Sequence, residues 1–264
     1  MKRTRIESIG ISLPLEIERI IGDKNTAIYD SSCSKEARVY LIDKDGGYFL
    51  KISPENTLRA EADMTAYFHS RGIGAEVLCY EKMGDSDFLL TRRADGEDCT
   101  FGAYLENPSR LVDTLATLLR SLHEMGHEGC PVKDRMKGYK ELAHKNYARG
   151  YADTELFVGD FAFRSSDEAY AVFKEGESAL VSDTLIHGDY CLPNIILDNW
   201  RFSAFIDLGN GGVGDRHVDI FWGVWTLLFN LKTDKYGGRF LDAYGRDRVD
   251  EHLLRVVAAA EVFG

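Results

Sequence analysis

No two cysteines of this sequence are spaced as CxxC. The five, Cys33, Cys79, Cys99, Cys130 and Cys191, form an odd, scattered set, which suggests neither a disulfide framework nor a zinc site. Reduced thiols fit the cytosol. Long apolar runs are also missing: the most apolar stretch, 220–229, is too short to span a bilayer, and no signal-peptide core follows the basic opening Met1-Lys2-Arg3-Thr4-Arg5. The chain is therefore expected to stay in the cytoplasm, with no membrane partner. Positive charge is scarce as well, since 43 Asp and Glu stand against 32 Lys and Arg for a formal net charge of -11. Binding a phosphate backbone requires a positive surface that displaces counterions, so no nucleic-acid partner is expected, whereas a cationic one is easily accommodated. An acidic balance also serves plain solubility, and charge by itself nominates no function. Internal repeats and low-complexity tracts are absent.

What is present is enough apolar sequence, 44% of 264 residues, to bury a substantial core in one large or two modest domains. Residues 37–43 and 48–53 carry β-branched and aromatic side chains around Lys44-Asp45-Gly46-Gly47, the pattern of a hairpin. A second hairpin is expected from 76–81 and 88–92 around the turn 83–87, with a helix over 55–70 between the two. From about residue 95 the pattern changes to amphipathic helices over 109–125, 134–150 and 166–179. Short strands at 184–187, 195–197 and 202–206 then bracket polar loops, before helices resume over 219–229 and 248–263. The aromatic residues Trp222, Trp225 and Phe229 of that last region are expected in the core. The reading is α+β: a small β-rich part, 1–94, with one helix, and a larger α-rich part, 95–264, joined at a natural nucleotide cleft.

The segment His187-Gly188-Asp189-Tyr190-Cys191-Leu192-Pro193-Asn194, followed by a strand and Phe205-Ile206-Asp207-Leu208-Gly209, is the most informative. An aspartate on a loop, an asparagine five residues on and a second aspartate after a short strand supply what in-line phosphoryl transfer to an alcohol requires. Those needs are an acceptor for the hydroxyl proton and hard oxygen ligands for magnesium. Taken singly, Asp189 reads as a turn or cap residue and Asn194 as a turn amide; the joint pattern points to chemistry. His187 reads as a structural partner of this loop.

The stretch from His187 to Asp219 closely resembles the aminoglycoside 3'-phosphotransferases, relatives of the protein kinases, with their HGDxxxxN, strand and IDxG pattern. The resemblance extends more weakly over nearly the whole chain and implies a two-lobed, protein-kinase-like fold. It implies Asp189 as catalytic base or hydroxyl-orienting group, and Asn194 and Asp207 as Mg²⁺ ligands. It also implies Lys51 as the phosphate-contacting lysine, Glu61 as its carboxylate partner and Phe49, two residues before Lys51 on one strand face, as a stack for the nucleotide base. By themselves a strand lysine and a helix glutamate read as solvated charges. The backbone carbonyl of Arg92 and the N–H of Ala94 would meet the adenine edge. The loop Ser31-Ser32-Cys33-Ser34, which has no glycine, would cover the phosphates, with Ser34 among its contacts.

Aminoglycosides carry several ammonium groups, so carboxylates are expected on the acceptor side. The stretch 150–160 resembles the family's acidic substrate loop and offers Asp153, Glu155 and Asp160. The ending Ala260-Glu261-Val262-Phe263-Gly264 resembles the family's Asp-Glu-x-Phe terminus, which implies Glu261 and Phe263 as substrate contacts. It departs from that pattern at Ala260 and Gly264, as the sequence does at Asn210, where relatives usually carry arginine. The reaction implied is transfer of the γ-phosphate of ATP or GTP to a sugar hydroxyl, the 3' position first, giving antibiotic resistance. The alternatives are a kinase of another small alcohol (a choline-like, macrolide or peptide-antibiotic acceptor) and a nucleotide-binding regulatory module without turnover. A metal-dependent hydrolase is disfavoured by the lack of further His/Asp ligand spacing.

Overall fold

Strand alternation organises the first part of the chain. In β4 (Tyr48–Pro54), Tyr48, Leu50 and Ile52 are buried while Phe49 and Lys51 between them are half-buried, because successive strand residues point to opposite faces. The computed structural model describes residues 3–22, 26–32, 37–157 and 159–264. It divides into two compact units, Met1–Asp98 with Pro193–Gly209, and Cys99–Leu192 with Asn210–Gly264.

The first unit holds a wholly antiparallel sheet of β1 (Thr4–Ile6), β2 (Ala27–Asp30), β3 (Arg38–Asp43), β4, β5 (Val77–Met83) and β6 (Ser86–Arg92), in the order β1-β2-β3-β4-β6-β5. Both hairpins expected from the sequence form. The second closes more tightly than expected, because Met83 pairs with Ser86 and leaves only Gly84 and Asp85 at the tip. One sheet face buries Tyr40, Ile42, Leu50 and Leu90 against Ile17 and Ile21 of α1 (Leu15–Ile21). Leu58 and Ala62, at the start of α2 (Arg59–Ser70), pack on Leu89, whose cross-strand partner is Lys51. The second helix thus covers the face on which Lys51 stands.

The sequence reading of one helix in this part is corrected by α1, and β1 and β2 were not read. All are short, and α1 is barely two turns, too short for a 3.6-residue period to declare itself. A second small sheet, β10-β9-β7, joins β7 (Glu97–Asp98) to β9 (Ile195–Asp198) and β10 (Arg201–Phe205). Gly96 permits that approach: its φ is +104°, and a Cβ there would lie 2.2 Å from the Leu197 carbonyl oxygen.

The second unit is helical: α3 (Gly102–Leu105), α4 (Pro108–His123), α5 (Arg135–Ala148), α6 (Ser166–Gly176), α7 (Arg216–Leu231), α8 (Gly237–Tyr244) and α9 (Glu251–Glu261). A two-stranded ribbon of β8 (Thr184–Ile186) and β11 (Gly212–Gly214) accompanies them. Side-chain caps set several helix starts. Asp134 accepts the Lys137 N–H, Ser165 that of Glu168, Asp215 that of His217, and Asp250 that of His252. These caps explain why α7 begins before residue 219 and α9 after residue 248. The helix α8 escaped the sequence reading because it opens on two glycines, the weakest helix formers after proline. Along α4, Leu111, Leu115, Leu119 and Leu122 are buried at helical spacing.

One expectation about α7 is overturned. Trp222 and Trp225 are only half-buried and Phe229 is 54% exposed. Val218, Ile220, Phe221 and Leu227 take the buried positions of a helix that is apolar nearly all round. Among the described residues no helix is long and apolar enough to cross a membrane.

Candidate active site

Lys51 is the hub of the first unit's polar cluster. Its Nζ lies 2.7 Å from Glu61 Oε2 and 2.6 Å from Asp207 Oδ1. Strand β4 projects the lysine from the face covered by α2, so Glu61, in the first turn of that helix and 8% exposed, meets it directly. Burial would lower the pKa of Lys51, but the two carboxylates outweigh it and hold the ammonium above its ordinary value. Phe49 stands two residues away on the same strand face, half-buried.

Asp207 follows β10 with φ +59°, in the left-handed region that aspartate tolerates better than most residues. One residue earlier, the N–H of Ile206 donates to the backbone carbonyl of Asn194 at 3.0 Å. The segments that carry Asn194 and Asp207 are thereby tied together. An amide and a carboxylate oxygen are hard donors of the kind magnesium takes, with remaining positions left to phosphate and water, so the donor chemistry fits that ion. Among the described residues no group of three or more His, Cys, Asp or Glu forms an all-protein metal cage.

The other nucleotide-side residues are placed as follows. Arg92 ends β6 with its guanidinium 2.8 Å from Glu76 and above the Tyr48 ring, and Ala94 follows half-buried. Ser34 lies outside the described residues. In the described part of its loop, the Ser32 hydroxyl accepts the Val39 N–H at 2.9 Å.

In the second unit Asp189 sits half-buried on the loop after β8. The loop is anchored from α7: Asp219, fully buried, accepts the N–H groups of His187 and Gly188, each at 2.7 Å, and lies 3.1 Å from His123 Nε2. The Leu192 N–H donates to Thr226 Oγ1 on the same helix at 3.1 Å. Gly188, φ +82°, has no room for a side chain, since a Cβ would lie 1.9 Å from the Asn210 carbonyl oxygen. Asn210 in turn accepts from Arg135 at 2.7 Å.

Of the acid candidates, Asp153 is half-buried and accepts the Glu155 N–H, while Glu155 is exposed. The Asp153 N–H donates to Val262 at 2.7 Å, which ties the acidic loop to the C-terminal turn. Asp160 falls in the helical turn Gly159–Phe161, and its side chain lies outside the described residues. Glu261 is 8% exposed and accepts from the Tyr139 hydroxyl at 3.0 Å. Burial pushes its pKa up to about 8, with the charges of Asp189 and Asp219 adding to the rise and Tyr139 and the Trp222 indole opposing it. Phe263 has no exposed surface and packs edge-on to Tyr147 and Tyr170. As placed, its ring anchors the C-terminal turn.

Sequence reasoning gave no role to Asp219, Tyr139 or Arg135. Only Asp219 carries a signal, an acid inside the apolar run Val218-Asp219-Ile220-Phe221.

The phosphotransferase enzyme family model (APH) matches residues 34–255. The chain belongs to this family. A probable aminoglycoside 3'-phosphotransferase of Lactococcus lactis subsp. lactis (strain IL1403) is 49% identical to this phosphotransferase over 241 residues, 91% of this chain and 92% of the relative. An aminoglycoside 3'-phosphotransferase of Niallia circulans is 28% identical, covering 95% and 97%. Among solved structures, the type VIII aminoglycoside-3'-phosphotransferase superposes with a TM-score of 0.72 at 24% identity, over 89% of this chain and 91% of that one. The phosphotransferase APH(3'')-Id from Streptomyces rimosus ATCC10970, in complex with ADP and streptomycin, does so with a TM-score of 0.72 at 22% identity, over 94% and 96%. This phosphotransferase therefore has the α+β, protein-kinase-like fold expected from its sequence.

Proposed function

We propose that this phosphotransferase transfers the γ-phosphate of ATP or GTP to a hydroxyl, the 3' one first, of an aminoglycoside and so gives resistance to it. The observation that carries the reading is the Lys51 ammonium held between Glu61 and Asp207, with Asn194 tied to the same segment. This is the arrangement phosphoryl transfer uses to hold nucleotide phosphates and their cation. The 49% identical relative, named a probable aminoglycoside 3'-phosphotransferase, supports the acceptor class, and the ADP complex of APH(3'')-Id supports nucleotide binding.

In this reading residues 1–94 bind the nucleotide, and residues 95–264 carry the acceptor site and catalysis. Lys51, oriented by Glu61, binds the α- and β-phosphates. Phe49 stacks on the base, the Arg92 carbonyl and Ala94 N–H meet its edge, and Ser34 joins the phosphate contacts. Asn194 and Asp207 would hold Mg²⁺, which when bound neutralises charge on the β- and γ-phosphates. Asp189 accepts the hydrogen bond of the acceptor hydroxyl and aims its oxygen. As the new O–P bond forms and the bond to the departing diphosphate breaks, the hydroxyl proton passes to Asp189. Asp153, Glu155 and Asp160 bind acceptor ammonium groups; Glu261, whose carboxyl is pushed up to about 8 in the free protein, joins them as an arriving ammonium favours its charged form, and Phe263 completes the acceptor contacts at the C-terminal turn. The charge of -11 favours a cationic acceptor, and positioning and charge complementarity carry the catalysis.

The test is nucleotide turnover by the purified protein with Mg²⁺ and kanamycin, neomycin, a 3'-deoxy aminoglycoside, a macrolide or choline. Turnover on the first two alone is expected. Turnover only on the macrolide or choline reassigns the acceptor, and nucleotide binding with no acceptor-stimulated turnover overturns the enzyme reading.

A further inference from the structure

Asp87 is a fully buried carboxylate with no part in the proposed chemistry. It stands on β6 two residues before Leu89 and so on the same sheet face; Ser53 of β4 is its cross-strand partner, as Lys51 is that of Leu89. Its Oδ2 accepts the Leu58 N–H at 2.9 Å. Burial would raise its pKa, but the N–H groups of Leu58 and Asn56, the nearby Tyr80 hydroxyl and the Lys82 charge outweigh burial and hold the carboxyl below its ordinary value. A charge this deep persists only where partners compensate it, and two of these partners are backbone N–H groups of the turn that enters α2.

That turn links Lys51 to Glu61. The chain leaves β4 at Pro54, passes Asn56 with its left-handed φ of +68°, and enters α2 at Arg59. Leu58 occupies the cap position of the helix and makes no side-chain cap hydrogen bond, so the capping acceptor comes from Asp87 on a neighbouring strand. A carboxylate there also meets the positive pole of the helix dipole. Glu61 lies three residues beyond Leu58, about 300° of helical rotation and 4.5 Å of rise, and so stands almost directly above the pinned residue. Any slide or roll of α2 moves Glu61 against Lys51, and Asp87 opposes both at this end.

We infer that Asp87 is a positioning residue for nucleotide binding: it fixes the start of α2 so that Glu61 meets Lys51 at 2.7 Å and holds the ammonium where phosphate oxygens can take it. The inference rests on the reading of Lys51 as the phosphate-binding lysine. Asp87 acts through α2 and Glu61 and contacts no ligand itself. Its loss therefore weakens binding of the phosphates and leaves binding of the base and ribose intact, whereas a general loosening of the unit weakens both.

The test compares the full chain as wild type, Asp87→Asn, Asp87→Ala, Glu61→Ala and the double variant Asp87→Ala with Glu61→Ala. Calorimetric titration gives Kd for ATP with Mg²⁺ and for adenosine, which has no phosphates. Acetylation of the ligand-free protein, followed by mass spectrometry at each lysine, reads how firmly the Lys51 ammonium is held. Asp87→Ala is expected to raise Kd for ATP about tenfold while Kd for adenosine moves less than about twofold. It should speed acetylation of Lys51 about threefold and leave Lys44, which donates to the Ile20 carbonyl in the same unit, at its wild-type rate. Asp87→Asn keeps the shape and one acceptor; it should fall between, and it carries the comparison if the alanine variant does not fold. With Glu61 already removed, Asp87→Ala should move either readout by less than about twofold. An unchanged Kd for ATP in both Asp87 variants, equal weakening of ATP and adenosine, or the same fold-change without Glu61 overturns the positioning role. Wild-type binding of ATP no tighter than that of adenosine instead overturns the phosphate role of Lys51. The acetylation comparison then decides the positioning by itself, and an unchanged Lys51 rate refutes it.

Discussion

Asp219 and Gly188 are joined by a buried hydrogen bond, Oδ1 of the aspartate accepting the glycine N–H at 2.7 Å, while Oδ2 accepts that of His187 at the same distance. The carboxylate of a helix thus fixes the backbone that carries Asp189. Asparagine presents one acceptor where two are used. Asp219→Asn should lower kcat on the best acceptor by roughly tenfold to a hundredfold through misplacement of Asp189, with a loss of about 2 kcal/mol in stability. KM for ATP should hold, since the proposed nucleotide ligands belong to the other unit. Steady-state kinetics and thermal unfolding check this; a kcat within twofold of wild type would show that the loop is held by other means.

Lys51→Met removes the cation between Glu61 and Asp207. KM for ATP should rise by roughly tenfold or more. Glu61, left buried without its ion partner, should cost about 2–3 kcal/mol of stability. Adding Glu61→Gln to Lys51→Met should recover much of that stability and none of the ATP affinity, a split readable from melting curves and nucleotide titrations.

Gly188→Ala tests the close approach at Asn210. A left-handed φ of +82° and a Cβ placed 1.9 Å from a carbonyl oxygen force the loop to move. Stability should fall by about 2–4 kcal/mol and turnover should collapse. Normal turnover in this variant would mean that the loop tolerates displacement.

Glu261 gives a pH signature. Its carboxyl ordinarily titrates near 4.5 and is pushed up to about 8 in the folded protein. Between those values the folded state binds a proton that the unfolded chain releases, so this residue's contribution to stability declines as pH rises from about 4.5 to 8 and is level above, a change of a few kcal/mol. Glu261→Gln should flatten the slope of melting temperature against pH in that interval and raise the melting temperature at pH 8.5. An identical slope in the variant would place the titration elsewhere.

Thiol chemistry should be slow. Burial and the neighbouring Asp189 charge raise the pKa of Cys191 well above that of a free thiol; burial also raises Cys130, and Cys79 reaches about 11. Alkylation at pH 7.5, followed by mass spectrometry at each cysteine, should leave these three unmodified in the native protein and modified in denaturant. Rapid native modification of Cys191, a half-buried side chain, would contradict the raised pKa of its thiol.

The elements legible in the sequence were those whose periodicity had room to repeat, such as the β3–β4 hairpin and the leucine stripe of α4. Short pieces such as β1, α1 and the glycine-led α8 owe their form to packing and left little trace in the pattern. At the site, Asp189, Asn194 and Asp207 stood out because polar residues interrupt apolar strands at fixed intervals. Asp219 did not, since its partners are backbone groups 31 and 32 residues away that no spacing encodes. The aromatic residues of α7 were read as core because composition reports how apolar a helix is, and not which side meets solvent.

The chain leaves the first unit at Asp98 and returns to it from Pro193 to Gly209, where Ile196 and Leu197 pair with Asp98 and Glu97, and the Phe205 N–H donates to Ile73. During synthesis the six-stranded sheet can therefore pair early, but β7 has no partner until β9, beyond Cys99–Leu192 of the second unit, has been translated. The segment bearing Asn194 and Asp207 is the last of its unit to dock, so a nascent chain acquires its Lys51 to Asp207 ion pair only near the end of translation.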